Sequence, residues 1–228
     1  MITPHGPIDA LDISIADVID FIDDFTGAAV DETSTWSLND TSSSGTPTHA
    51  MLADETAVEL ALDATNEQQV CGYDFGGKLI FDIDSVEKFI ARFKVSNIVA
   101  NEQIIIGMGS GWNDDPDAIA ASAWFKLDAG MDLLVETDDG TNDNNDKDTT
   151  VDLTADTYIW VMIDFSDTAN VKFYTSTDGK IWTPRLATIT FNMSNYTGGL
   201  QPMFAVIKAS GTTTPSITVD IVRVLSNR

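Results

Sequence analysis

The chain has 228 residues and carries 12 Lys and Arg against 36 Asp and Glu, a formal charge of −24. That balance argues against nucleic acid as a partner, because phosphates would be repelled rather than neutralised, and against anionic membrane surfaces. A hydrophobic content of 43% supplies an ordinary core, and the length suits one large all-β domain or two small ones.

The first element is ambiguous. Ile15, Val18, Ile19 and Ile22 fall at helical spacing, and Ser14 with Asp17 makes a start like a capping box. The overlapping alternation Leu11, Ile13, Ile15 reads equally as a strand. Either way, residues 1–22 form a short N-terminal arm ahead of a β domain at 23–228. An arm this apolar is costly to expose, so it is expected to be the attachment or oligomerisation element, with Ile15, Val18, Ile19 and Ile22 as its binding face.

From residue 23 the pattern is β almost throughout. VEKFIARFKV (86–95) alternates, with Lys88, Ile90, Arg92 and Lys94 on one face and Phe89, Ala91, Phe93 and Val95 on the other. QIIIGMG (103–109), AWFKL (123–127) and DLLVET (132–137) follow. YIWVMIDF (158–165) is nearly continuous apolar and predicts a central strand covered on both faces, with Trp160 in the core. VKFYTS (171–176) and KIWTPRL (180–186) flank Asp178-Gly179, a strong hairpin signal. LQPMFAVIKA (200–209) and SITVDIVRVL (216–225) close the chain. DDPDAIAASAWF (114–125) reads as one helical turn or a loop. Many strands at this spacing, with no fixed repeat, predict an all-β jelly-roll sandwich.

The lone Cys71 permits no intrachain disulfide and has no basic neighbour to activate it, so it reads as a small core residue. The opening MITPHGPIDA has neither a basic nor an apolar stretch, so no secretory signal is expected there. No apolar run approaches the roughly 20 residues of a membrane span. His5 and His49 are far apart and form neither a metal pair nor part of a triad.

Three stretches invite a functional reading. TDDGTNDNND (137–146) could hold calcium, with Asp138, Asp139 and Asp143 as ligands. Its glycine, however, falls at the wrong place for the D-x-[DN]-x-[DN]-G loop. The favoured reading is a solvated strand connection whose side chains make their own turns and stay unburied. GSGWNDDPD (109–117) places Trp112 in a polar loop, and with Asn113, Asp114 and Asp115 it could form a small sugar site. The favoured alternative is an anchor packing the loop onto the sandwich. STDGKIW (176–182) is one residue short of the sialidase aspartate box and reads as a hairpin with Trp182 packed behind it.

The order and spacing of these elements resemble a concanavalin-A-like (lectin/glucanase) jelly roll. The residues that carry the resemblance are DDF (23–25) with Trp36, CGYDFGGKLIFDIDSVEKFIARFKVS (71–96), IIGMGSGWNDDPDAIAASAWFKL (105–127), VETDDG (135–140), YIWVMIDFS (158–166), VKFYTSTDGKIW (171–182), LQPMFAVIK (200–208) and ITVDIVRV (217–224). More narrowly, the chain resembles domains of that type in structural proteins of tailed phages. This implies a virion component made in the host cytoplasm, such as a capsid decoration or head fibre. It would bind other virion proteins, the capsid first, as a homo-oligomer and without a cofactor. A carbohydrate-binding module for host glycans is the alternative. A glycoside hydrolase is the weaker one: laminarinase-like members of the fold use E-x-D-x-x-E on one strand face. DIDSVE offers Asp82, Asp84 and Glu87, but with a shorter first acid and ahead of the strand, so the chain is expected not to be an enzyme.

Overall fold

The computed structural model describes residues 18–227, which form two antiparallel sheets packed face to face. The first sheet runs, in spatial order, β14 (Thr183–Arg185), β13 (Lys172–Ser176), β12 (Ile159–Asp164), β7 (Val86–Val95), β16 (Ser216–Asn227), β4 (Val58–Ala61) and β3 (Thr48–Met51), with β1 (Val18–Asp23) beside the later half of β16. The second runs β11 (Asp143–Asp152), β10 (Asp132–Asp138), β9 (Ser122–Asp128), β8 (Glu102–Gly109), β15 (Gly199–Lys208), β5 (Gln69–Asp74) and β2 (Ser37–Thr41), with β6 (Phe81–Asp82) beside β15. The expected all-β sandwich is what forms.

The core lies between the sheets and follows from two-residue alternation. In β7 the inward side chains are Phe89, Ala91, Phe93 and Val95, as their spacing predicts. Val161 and Ile163 of β12, Ile104 and Ile106 of β8, and Phe204 and Val206 of β15 meet them. Trp36 closes one end among Phe21, Phe25, Tyr73, Phe75 and Phe204, and its Nε1 donates to Asp23 at 2.8 Å. Cys71 belongs to this core, and burial pushes its thiol up to about 12.

Four expectations are corrected. The boundary drawn between arm and sandwich falls inside β1: Val18, Ile19 and Ile22 are strand residues paired with Asn227, Ser226 and Arg223, while Ile15 lies outside the described residues. Helical spacing loses here because the last strand offers β1 a ladder of backbone partners. Period two then sends Ile19 and Phe21 onto the core and leaves Val18 and Ile22 outside. Trp160 is not core. It points outward from β12 and is only half buried. The Asp178-Gly179 hairpin closes through a longer loop, because pairing between β13 and β14 starts only at Thr175 and Thr183. Finally, residues 143–152, read from their first half as a connection, are a ten-residue strand. It is an edge strand, so its polar side chains face water and carry no alternation to read.

Candidate functional site

The second sheet has an unusual outer face. Outward positions of β5, β8, β9 and β15 place Val70, Ile105, Trp124, Met203, Ala205 and Ile207 together as a second apolar cluster, outside the main core. The segment 110–121 lies over it. Ser110 and Ala121 close the base of that segment through two hydrogen bonds, Ser110 N to Ala121 O and Ala121 N to Ser110 Oγ, both 2.9 Å. Within the segment, Asp115 caps the short 3-10 turn Pro116–Ala118, and Ile119 is buried against Trp124 and its neighbours.

Trp112 is the anchor of this cover. Its indole sits where a side chain at position 72 would be, since a Cβ on Gly72 would lie 2.2 Å from Trp112 Cη2. Its Nε1 donates to Asp114 Oδ1 at 3.1 Å. Trp112 is therefore half buried, with the edge of its indole against the β5 backbone at Gly72 and its N–H tied to Asp114. Asn113 is exposed and accepts from Asp115 N.

Two of the four candidate sugar-binding residues nonetheless line a pocket. On one side of the cover, Asp114, Asp115 and Pro116 face Gln68, Asn101, Gln103 and Asp128 across a cavity of about 230 Å³, with Ile207 and Ala209 completing it. This wall mixes amides and carboxylates with an apolar patch. The sequence did not single out Gln68, Asn101, Gln103, Asp128 or Ile207, because they come from four separate segments joined only by the register of β8, β9 and β15.

On the other side of the cover sits an ion cluster, built round the buried pair Lys126 and Glu136, that was also missed. Lys126, its side chain 3% exposed, places Nζ 3.0 Å from Asp146, 3.1 Å from Glu136, 3.7 Å from Asp117 and 3.9 Å from Asp128. Burial opposes the charge on Lys126, but Glu136, Asp146 and Asp117 outweigh it and hold the ammonium above its usual range. Burial pushes the Glu136 carboxyl up to about 7, against the pull of Lys126. A smaller cavity of about 70 Å³ lies beside them, lined by Asp117, Ser122, Glu136, Asp138 and Asp143. The available signal was a charge at an outward position inside each of two apolar runs, AWFKL and DLLVET.

Glu136 and Asp138 share one face of β10, and Glu136-Thr-Asp138-Asp-Gly-Thr141 matches E-x-D-x-x-E at its first two acids. The third position is Thr141, which cannot serve as an acid or a nucleophile carboxylate. The stretch first considered for this chemistry is scattered: Asp82 ends the short strand β6 and Asp84 lies in the turn after it, both exposed and linked by Asp84 N to Asp82 Oδ1, while Glu87 lies on the other sheet, accepting from Asn227.

The acidic hairpin does not group its candidate calcium ligands. Asp138 accepts from Gly140 N, and Asp143 accepts from Asn145. Asp139 is 5% exposed and accepts five donors, from Thr141, Asn142 twice and Asn195 twice. Its oxygens are thus committed, and a calcium ion needs six to eight oxygens. Among the described residues no group of three or more His, Cys, Asp or Glu side chains could hold a metal ion. The expectation that this stretch is unburied holds for Asp143 and fails for Asp139, whose donors replace water.

No protein-family model matches the sequence, and no curated protein does. Solved structures match over nearly the whole chain. A protein of unknown function from Shewanella oneidensis MR-1 superposes with a TM-score of 0.63 at 13% identity, covering 99% of this chain and 97% of that one. The catalytic domain of an endo-1,3-β-glucanase (laminarinase) from Thermotoga petrophila RKU-1 gives 0.58 at 12% identity, covering 91% and 97%. Peanut lectin gives 0.56 at 10% identity, covering 92% and 98%. The fold is the concanavalin-A-like jelly roll.

Proposed function

We propose that this chain is a binding domain that recognises a neutral saccharide without turning it over, through the pocket beside Asp114 and Asp115. One observation carries this reading: the pocket sets amides and carboxylates against an apolar patch at Ile207 and Pro116. Such a wall suits a pyranose, whose hydroxyls bond to planar polar groups while its C–H face covers apolar surface. Three carboxylates in the wall, on a chain of charge −24, disfavour acidic sugars. The absence of turnover is supported by Thr141 in place of a second acid and by the tie between Glu136 and Lys126. The match to a lectin and a glucanase supports the fold that presents the pocket.

The test is calorimetry or a glycan array with the full chain, alongside a reducing-end assay on laminarin and agarose. Binding of a neutral glycan that drops about tenfold or more in Gln103→Ala and Asp115→Ala, with no sugar released, is the expected result. Sugar release that disappears in Glu136→Gln would replace this reading with a hydrolase.

A second reading places the domain on a virion, as a capsid decoration or head-fibre component. It rests on the resemblance to tailed-phage structural domains and on a charge that keeps copies apart except where they are built to meet. Mass spectrometry of purified particles tests it.

A further inference from the structure

Among the described residues, the outer face of the first sheet carries no cover as long as 110–121, although the loop after β13 packs Gly179 against Trp160. Cross-strand register lines up Ile22, Arg223, Ile90, Met162, Tyr174 and Pro184 as one row crossing β1, β16, β7, β12, β13 and β14. Ile22, at one end, is 54% exposed, and Pro184, at the other, is exposed. Five strand-to-strand steps of about 4.8 Å make the row about 24 Å long. Apart from Arg223 the row is aliphatic or aromatic; Met162 near its centre is 8% exposed, so the exposed apolar surface that marks a contact site lies toward its ends.

The charges on this face are as informative as the apolar row. The outward positions carry Lys88, Arg92, Lys94, Lys172 and Arg223, five of the twelve cations in the chain. They stand with five acids: Asp20, Glu55, Glu59, Asp164 and Asp220. Arg223 grips Asp20 through two 2.8 Å bonds, Arg92 meets Asp220 at 2.7 Å, and Lys94 meets Glu55 at 2.7 Å. A β-bulge in β16 makes the second of these pairs, turning both Asp220 and Ile221 outward opposite Arg92. The outward charges of these strands thus nearly cancel, and most of the −24 of the chain lies elsewhere.

We propose that two copies of this chain pair face to face through this sheet. Because most of the excess acid lies elsewhere on the chain, this face meets its own copy with little net repulsion. Its mixed charges let cations of one copy lie against acids of the other. Both copies carry the same excess of acid, so pairing is weak, in the micromolar range. Because two chains of −24 repel at long range, pairing tightens as salt screens them, opposite to an association driven by ion pairs.

Sedimentation equilibrium of the full chain across a salt series tests this. A monomer–dimer equilibrium that shifts toward dimer with added NaCl is expected. Ile22→Asp and Pro184→Asp, at the two exposed ends of the row, should each weaken it about tenfold while leaving the melting temperature close to wild type. Ile80→Asp adds the same charge at a 55% exposed position off the row and should not weaken it. A chain that stays monomeric at every salt and concentration overturns the proposal, as does a dimer indifferent to both row variants. If removing residues 1–17 converts a monomer into a dimer, those residues occupy the face and the second copy does not.

Discussion

The two outer faces of the sandwich solve one problem in opposite ways. Each sheet carries aromatic and aliphatic side chains on the side away from the core. On the second sheet the segment 110–121 folds over them, Trp112 and Ile119 complete a small core, and Lys126 is sealed in with carboxylates. On the first sheet no segment of comparable length lies over the described strands, and Arg92 stays half exposed, stacked over Tyr158 at 3.9 Å and paired with Asp220. Covering a face commits its side chains to stability and confines recognition to the edges of the cover. Leaving it open keeps it available for a partner.

Truncating Lys126 is the sharpest way to break this contrast. Lys126→Ala leaves Glu136 buried without its cation and should cost about 3–5 kcal/mol of folding stability, read by urea denaturation. Replacing both partners, Lys126→Met with Glu136→Leu, should restore most of it. The pH dependence follows from the raised carboxyl. Folded Glu136 holds its proton to about pH 7, while in the unfolded chain it ionises near its ordinary value of 4.5. The folded state therefore binds more protons between these values. The stabilisation is complete below about pH 4.5 and is lost as pH rises through about 7. Glu136→Gln should flatten the fall in melting temperature across that window, and the Lys126→Ala defect should be milder at pH 5 than at pH 8.

Lifting the cover should cost less. Gly72→Val puts a side chain where the Trp112 indole lies, an overpacking worth about 1–3 kcal/mol. It should red-shift Trp112 fluorescence and weaken any ligand held by Asp114 and Asp115. Arg92→Ala, the corresponding change on the open face, removes a partly solvated ion pair and a cation–π contact and should cost about 1 kcal/mol or less.

The sequence showed the strands whose alternation is set by the core and hid those set by an edge or a cover. Phe89, Ala91 and Phe93 could be assigned a face because burial on one side enforces period two. The strand Asp143–Asp152 could not, since it is an edge strand in which only Val151 reaches the core and most other side chains are polar and face water. The outward apolar residues Trp124 and Ile105 gave the opposite difficulty: strands buried on both faces lose alternation, and the run then says nothing of what covers them. Trp160 was misplaced because its continuous apolar run predicted cover on both faces, whereas its outward face is only partly covered. At the candidate site, Trp112, Asp114 and Asp115 were visible as a polar loop with one indole. Gln103 and Asp128 became their neighbours only through pairing across β8 and β9.

The acidic hairpin supplies the smallest expected effect and a control for all the others. Asp139 and Asp143 lie four residues apart, in a stretch where composition alone treats every acid alike. Asp139 accepts five hydrogen bonds and is buried, so Asp139→Ala should cost about 1–3 kcal/mol by stranding the amides of Asn142 and Asn195. Asp143 is exposed and accepts only from its neighbour Asn145. Asp143→Asn keeps the side-chain shape, removes one of 36 acidic charges and should change stability by no more than about 0.5 kcal/mol. The sign should be toward greater stability at low salt, where relief of repulsion in a −24 chain is largest, and the gain should vanish as screening rises. Melting curves of both variants, with and without calcium and chelator, check the pair together. A chelator-dependent melting temperature that Asp143→Asn abolishes would mean that the hairpin closes on an ion rather than on its own amides.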